Sequence, residues 1–184
     1  MKFLKSIFLL FILFSPANNS YGLDSDQKQS ITIQADSATF NSTDNRAIYQ
    51  GHVELIQGSL KISADSLTIQ NSPSGNISSL TAIGKPARYT QQLTLDKPPI
   101  EATAEKVIYH PQEEKIELMN QAQIRQGENL FQGDQIKYDL KQRILSAVGN
   151  NNTSGKKNAS GRVKMVIPPT IKPKNTHKDK ASTP

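Results

Sequence analysis

Four acidic residues, Asp36, Asp65, Glu105 and Asp134, hold the same place in four eight-residue stretches, and they are the first candidates for chemistry. The stretches are IQADSATF (33–40), ISADSLTI (62–69), ATAEKVIY (102–109) and FQGDQIKY (131–138). Two carboxyls converging across a cleft would suit glycoside hydrolysis, and several within one loop would suit calcium. Neither pattern is present. Each acid stands alone beside Ser, Lys or Gln, and the copies begin 29, 40 and 29 residues apart, which spreads the carboxylates along the chain. His52, His110 and His177 share no ligand spacing. The segment GNNNTSGKK (149–157) departs from a phosphate-binding loop by one extra residue and by Lys157 in place of a hydroxyl. No G-x-S-x-G motif occurs, and with no cysteine there is no thiol nucleophile or disulfide. The expectation is a protein that is not an enzyme and uses no metal or cofactor.

The elements around the acids explain the repetition better. Positions one and three of each copy are apolar, with the third small (Ala35, Ala64, Ala104, Gly133), and positions six and eight are apolar again. Strand side chains alternate faces, so the odd step across the acid would send half of each strand to the wrong side. A bulge or corner absorbs the extra residue, and an acid there can accept hydrogen bonds from amides left unpaired. Asp36, Asp65, Glu105 and Asp134 are therefore read as structural corners. The copies recur as pairs after 69 residues, as stacked β units do. Polar clusters such as NSTDN (41–45), NSPSGN (71–76) and HPQEE (110–114) separate short alternating runs, which favours antiparallel neighbours. The predicted class is all-β: an open antiparallel β-jellyroll of two wrapped sheets. By phase, Ile31, Ile33, Phe40, Leu67, Ile69, Tyr89, Val107, Tyr109, Ile136 and Tyr138 face inward.

Two lysines, the apolar run SIFLLFILF (6–14), Pro16 and the small-x-small site Ser20-Tyr21-Gly22 predict a cleaved signal peptide over residues 1–22. The run is well short of the ~20 residues of a spanning helix. The jellyroll domain is expected over 23–167 and a disordered basic tail over 168–184. From Lys156 onward there are eight basic residues and one acid, +7, whereas residues 23–155 carry 12 basic and 15 acidic residues, −3. The folded part thus lacks the charge expected of a nucleic-acid-binding face.

The order and spacing of ITIQAD, GHVELIQGSLKISADSLTI, GKPARY, IEATAEKVIY and FQGDQIKY resemble the LptA/OstA-like family of periplasmic lipopolysaccharide-transport proteins, from about Gln27 to Ile167. That resemblance implies a periplasmic location and a jellyroll whose interior carries lipopolysaccharide acyl chains, making the ten inward residues candidate lipid contacts, Ile31, Tyr89 and Tyr109 foremost. It implies head-to-tail oligomers of the chain bridging the periplasm. Its partners would be an inner-membrane transporter complex, through its bitopic jellyroll subunit, and the N-terminal domain of the outer-membrane translocon. Edge strands are expected near Ser30–Ala35 and Arg162–Ile167. The competing readings are a lipid-free structural β filament and a secreted carbohydrate-active β-helix enzyme.

Overall fold

The computed structural model describes residues 26–149 and 161–169, and all ten elements within them are strands. They are β1 (Thr32–Gln34), β2 (Ser37–Asn41), β3 (Arg46–Gln57), β4 (Leu60–Asn71), β5 (Ile77–Gln91), β6 (Ile100–His110), β7 (Lys115–Gln126), β8 (Asn129–Asp139), β9 (Ile144–Val148) and β10 (Lys164–Val166). The expected signal peptide, His177 and the tail from residue 170 lie outside the described residues, as does most of GNNNTSGKK. Pairing is antiparallel throughout, and β3 to β8 follow one another as neighbours. β1 and β2 share the outer side of β3, and β9 and β10 share the outer side of β8. The sequence reading expected two sheets; the hydrogen bonding makes one continuous sheet of ten strands.

One line of register breaks crosses that sheet. Pairing skips at Gly51-His52 against Asp65, at Gly84–Pro86 against Glu105, and at Asn120-Gln121 against Asp134. Ala35-Asp36 forms the gap between β1 and β2. Each strand therefore turns a corner at the same level, creasing the sheet into a β1 leaf (with β10) and a β2 leaf (with β9). The inner side of the crease is lined by small residues, pairing Val53 with Ala64, Ala87 with Ala104 and Ala122 with Gly133. Larger side chains there would hold the leaves apart.

The depth of the fold follows from two tyrosines. Tyr109 sits directly opposite Leu80, nine residues before Tyr89 on the same strand. A straight strand would carry Tyr89 about 30 Å away. Instead the rings of Tyr89 and Tyr109 meet edge to face, 5.5 Å between centroids and 62° between planes. The leaves have closed onto one another, and the core is the space between them. Tyr89, Tyr109, Leu55, Leu67, Ile116 and Ile136 all lie there at 1% exposure or less.

Candidate functional site

Directly opposed residues on neighbouring strands share a face, so the register identifies the walls of the interior. In the β2 leaf one row runs Phe40, Ala47, Ile69, Leu80, Tyr109, Ile116, Tyr138, Leu145. Beside it runs Ala38, Tyr49, Leu67, Ala82, Val107, Leu118, Ile136, Ala147. In the β1 leaf the corresponding row is Ile33, Leu55, Ile62, Tyr89, Ala102, Ile124, Phe131, Met165. These rows are an apolar trough, packed by its own side chains at the centre and open at both ends.

Nine of the ten residues expected to face inward are buried at the centre or half-buried toward the first edge. Leu67, Ile69, Tyr89, Val107, Tyr109, Ile136 and Tyr138 are in the core, and Ile33 packs partly buried against it. Ile31 is likewise half-buried against the core, although it precedes β1 and so lies outside the described ladders. Phe40 belongs to an interior row by register yet is 66% exposed. It ends its row at the sheet's edge, where no further strand among the described residues covers it. The far end has the same character, with Met165 54% exposed at the end of the β1-leaf row. Beside it a cleft of about 260 Å³ opens between the leaves, lined by Ile100, Ile124 and Phe131 on one side and Tyr138 and Leu145 on the other. Met165 and, Tyr138 apart, the residues lining this cleft were not among the sequence-predicted residues. Their signal, an apolar residue at the interior phase of an edge strand, was present.

The two central tyrosines keep their protons. Burial pushes the Tyr109 hydroxyl up to about 12 and that of Tyr89 well above its ordinary value, so both remain neutral donors. The Tyr89 hydroxyl donates to Gln91 Oε1. Gln91 Nε2 in turn donates to Asp26 Oδ2 at 2.8 Å. Gln91 and Asp26 are the buried polar side chains among the described residues, and neither was anticipated from the sequence.

The corner acids lie on the other side of the crease from the small residues. Asp36 Oδ2 accepts from His52 Nδ1 at 2.8 Å, and Glu105 accepts from Asn120 Nδ2 (3.1 Å) and Gln121 Nε2 (2.9 Å). The expected backbone amides are replaced by side chains, because the facing strand bulges there and presents its own polar residues. Gly51, His52, Asn120 and Gln121 all have positive φ, 78°, 46°, 63° and 53°. At Gly51 a Cβ would lie 2.1 Å from Asp36 Oδ2, which reserves that position for glycine. Asp65 and Asp134 stand at the equivalent breaks of β4 and β8. No group of three or more metal-ligating side chains occurs among the described residues.

The hydrogen bond that His52 donates to Asp36 raises the His52 pKa from 6.5, with the carboxylate's charge adding to it. Because the folded-state value is the higher one, the pair's stabilisation is fully present below pH 6.5. It is lost as pH rises through the folded-state pKa. Side-chain exposures of 92% for His52 and 63% for Asp36 keep that contribution small. In an NMR titration His52 is expected to titrate above 6.5, and Asp36→Asn to bring the midpoint back toward it; an unmoved midpoint would contradict the pairing.

Three comparisons bear on this arrangement. Residues 32–144 match the family model described as LptA/(LptD N-terminal domain) LPS transport protein. The lipopolysaccharide export system protein LptH of Pseudomonas aeruginosa is 33% identical over 174 residues, covering 94% of this chain and 99% of that protein. The export system protein LptA of Haemophilus influenzae is 30% identical over 148 residues, 79% of this chain and 85% of that one. Among solved structures, that of the Pseudomonas aeruginosa LptH, described as the LptA-homologous periplasmic component of the lipopolysaccharide transport device, superposes with a TM-score of 0.70. It is 34% identical, covering 79% of this chain and 99% of that one.

Proposed function

Because the chain belongs to the LptA/(LptD N-terminal domain) family of lipopolysaccharide transport proteins, we propose that it carries lipopolysaccharide through the periplasm with the acyl chains between its two leaves. The observation that carries this reading is the trough itself: aligned apolar rows that run from edge to edge and end in apolar residues that are exposed, such as Phe40 and Met165, or only partly buried. An ordinary core ends in polar cover. Burying one methylene is worth about 0.8 kcal/mol, so a ten-carbon chain gains roughly 8 kcal/mol before costs. A site that sticky suits transfer to an equivalent neighbouring site better than release into water.

The lipid contacts proposed are Ile31, Ile33, Phe40, Leu67, Ile69, Tyr89, Val107, Tyr109, Ile136 and Tyr138. The end residues Phe40 and Ile33 are the first to meet a chain arriving through an edge. Among the described residues both edges of the sheet carry unpaired backbone groups, which add strands from a partner. Different edges meeting head to tail generate an open filament, and the same edges would receive the jellyroll subunit of the inner-membrane transporter and the N-terminal domain of the outer-membrane translocon. The signal peptide over 1–22 and its removal belong to this reading, as does a role without catalysis.

Mature protein purified from a lipopolysaccharide-producing host is expected to retain lipopolysaccharide detectable by mass spectrometry. Protein that comes out lipid-free, and stays so after incubation with lipopolysaccharide micelles, would favour a lipid-free β filament.

A further inference from the structure

The long opening between the leaves, opposite the crease, has two lips made of turns. The β1-leaf lip includes Gln57–Leu60 and the residues after Gln91; the β2-leaf lip includes His110–Lys115. Residues Asp26–Gln29 lie along the first lip and reach the second through the Gln27 side chain. On the β1-leaf lip the segment is held at many points. Asp26 Oδ1 accepts from the Ser59 amide at 2.7 Å, and Oδ2 accepts from Ser59 Oγ at 2.6 Å and Gln91 Nε2 at 2.8 Å. Gln57 Nε2 donates to the carbonyls of Gln27 (3.3 Å) and Gln29 (3.1 Å). It also seats against Gly58 (φ 59°), where a Cβ would lie 2.3 Å from Asp26 Oδ1. On the β2-leaf lip the attachment among the described residues is the Gln27 side chain, donating to the Pro111 carbonyl at 2.9 Å and meeting the Tyr109 hydroxyl.

The segment reads Asp-Gln-Lys-Gln, so it covers an apolar trough without adding one apolar side chain to it. It is anchored on one side and pinned by a single exposed side chain on the other. Segments held by few, exposed hydrogen bonds open at the low end of a protein's local stabilities. We propose that Asp26–Gln29 is a latch across the side of the trough, hinged on the Ser59 lip, and that breaking the Gln27 attachment admits lipid between the leaves. The proposal rests on the lipid-carrying reading and adds a lateral entrance to it, distinct from entry through the sheet's edges. The latch lies near the middle of the strand order, between β4–β5 on one lip and β6–β7 on the other.

The test uses the full mature chain and micelles of fluorescently labelled lipopolysaccharide, with uptake followed by stopped-flow fluorescence. The chain has no cysteine, so a Gln27→Cys/Gln112→Cys pair joined by a short, reducible bis-thiosulfonate bridge fastens the segment at one defined place. Bridging is expected to slow uptake at least about tenfold, with the rate restored on reduction. Gln27→Ala, which deletes one hydrogen bond, is expected to speed uptake by up to about tenfold. Bridged protein that loads at the reduced protein's rate would overturn the latch and make the segment a brace. Reduced protein that takes up no lipid would overturn the lipid-carrying reading, and the latch with it.

Discussion

Replacing Tyr109 with alanine is expected to lower the free energy of unfolding by about 3–5 kcal/mol, read from urea titrations of the mature protein, with a fall in Tm of roughly 10 °C. Tyr109 is 1% exposed and stands in the β2-leaf row between Leu80 and Ile116. Its ring also meets Tyr89 of the other leaf edge to face. The loss therefore includes the transfer of an aromatic ring from water, the cavity left behind, and an aromatic contact worth about 0.5–1.5 kcal/mol beyond burial. It falls where the two leaves touch, so little can move in to fill the space. Glu101→Ala, on the exposed outer side of the same strand, should change stability by no more than about 0.5 kcal/mol. Equal effects from the two would contradict the closed arrangement of the leaves.

The second large effect concerns assembly. Deleting residues 162–184 is expected to weaken concentration-dependent self-association about ten- to hundredfold in sedimentation or light scattering. β10 pairs Lys164, Met165 and Val166 with Gln132, Phe131 and Leu130 of β8. It completes an edge that β9 begins, and together they offer one long row of backbone groups unpaired among the described residues. Removing β10 leaves that edge stepped by one strand, so an incoming strand can follow only the β9 half. Backbone hydrogen bonds contribute about 0.5–1.5 kcal/mol net apiece, so losing two at a joint, about 1–3 kcal/mol, brackets that range. Unchanged oligomers would place the joint elsewhere.

The corners of the forward strands were legible because they repeat one residue type. An acid after a small residue, four times, marks where the apolar phase slips, and β1–β2, β4, β6 and β8 each bend or break there. The return strands bend at the same level with different residues: Gly51-His52 in β3, Gly84–Pro86 in β5, Asn120-Gln121 in β7. Gly51-His52 and Asn120-Gln121 are also 69 residues apart, so the repeat extends to them. Glycine, histidine, asparagine and glutamine share only a tolerance or local need for positive φ here, which no hydrophobic pattern reports. The acids' partners followed from those bulges and were hidden with them. Asp26 and Gln91 were illegible for another reason. Their burial is created by the closing of the leaves, which brings Ser59, Gln91 and Asp26 together from separate parts of the chain. Phe40 had the right phase, but exposure depends on whether a neighbouring strand exists beyond it, and alternation along one strand carries no information about that.

The central claim, that lipid runs between the leaves, is tested most directly by photocrosslinking along β6, where inward and outward positions alternate. Benzoylphenylalanine would be placed singly at Val107, Lys106, Ile108 and Tyr109 in protein expressed in a lipopolysaccharide-producing host. Val107 and Tyr109 pair across the sheet with the interior rows, and Lys106 and Ile108 with residues of the outer face. The expected result is lipopolysaccharide adducts from Val107 and Tyr109 only; equal labelling from all four, or labelling confined to Lys106 and Ile108, would contradict a trough between the leaves.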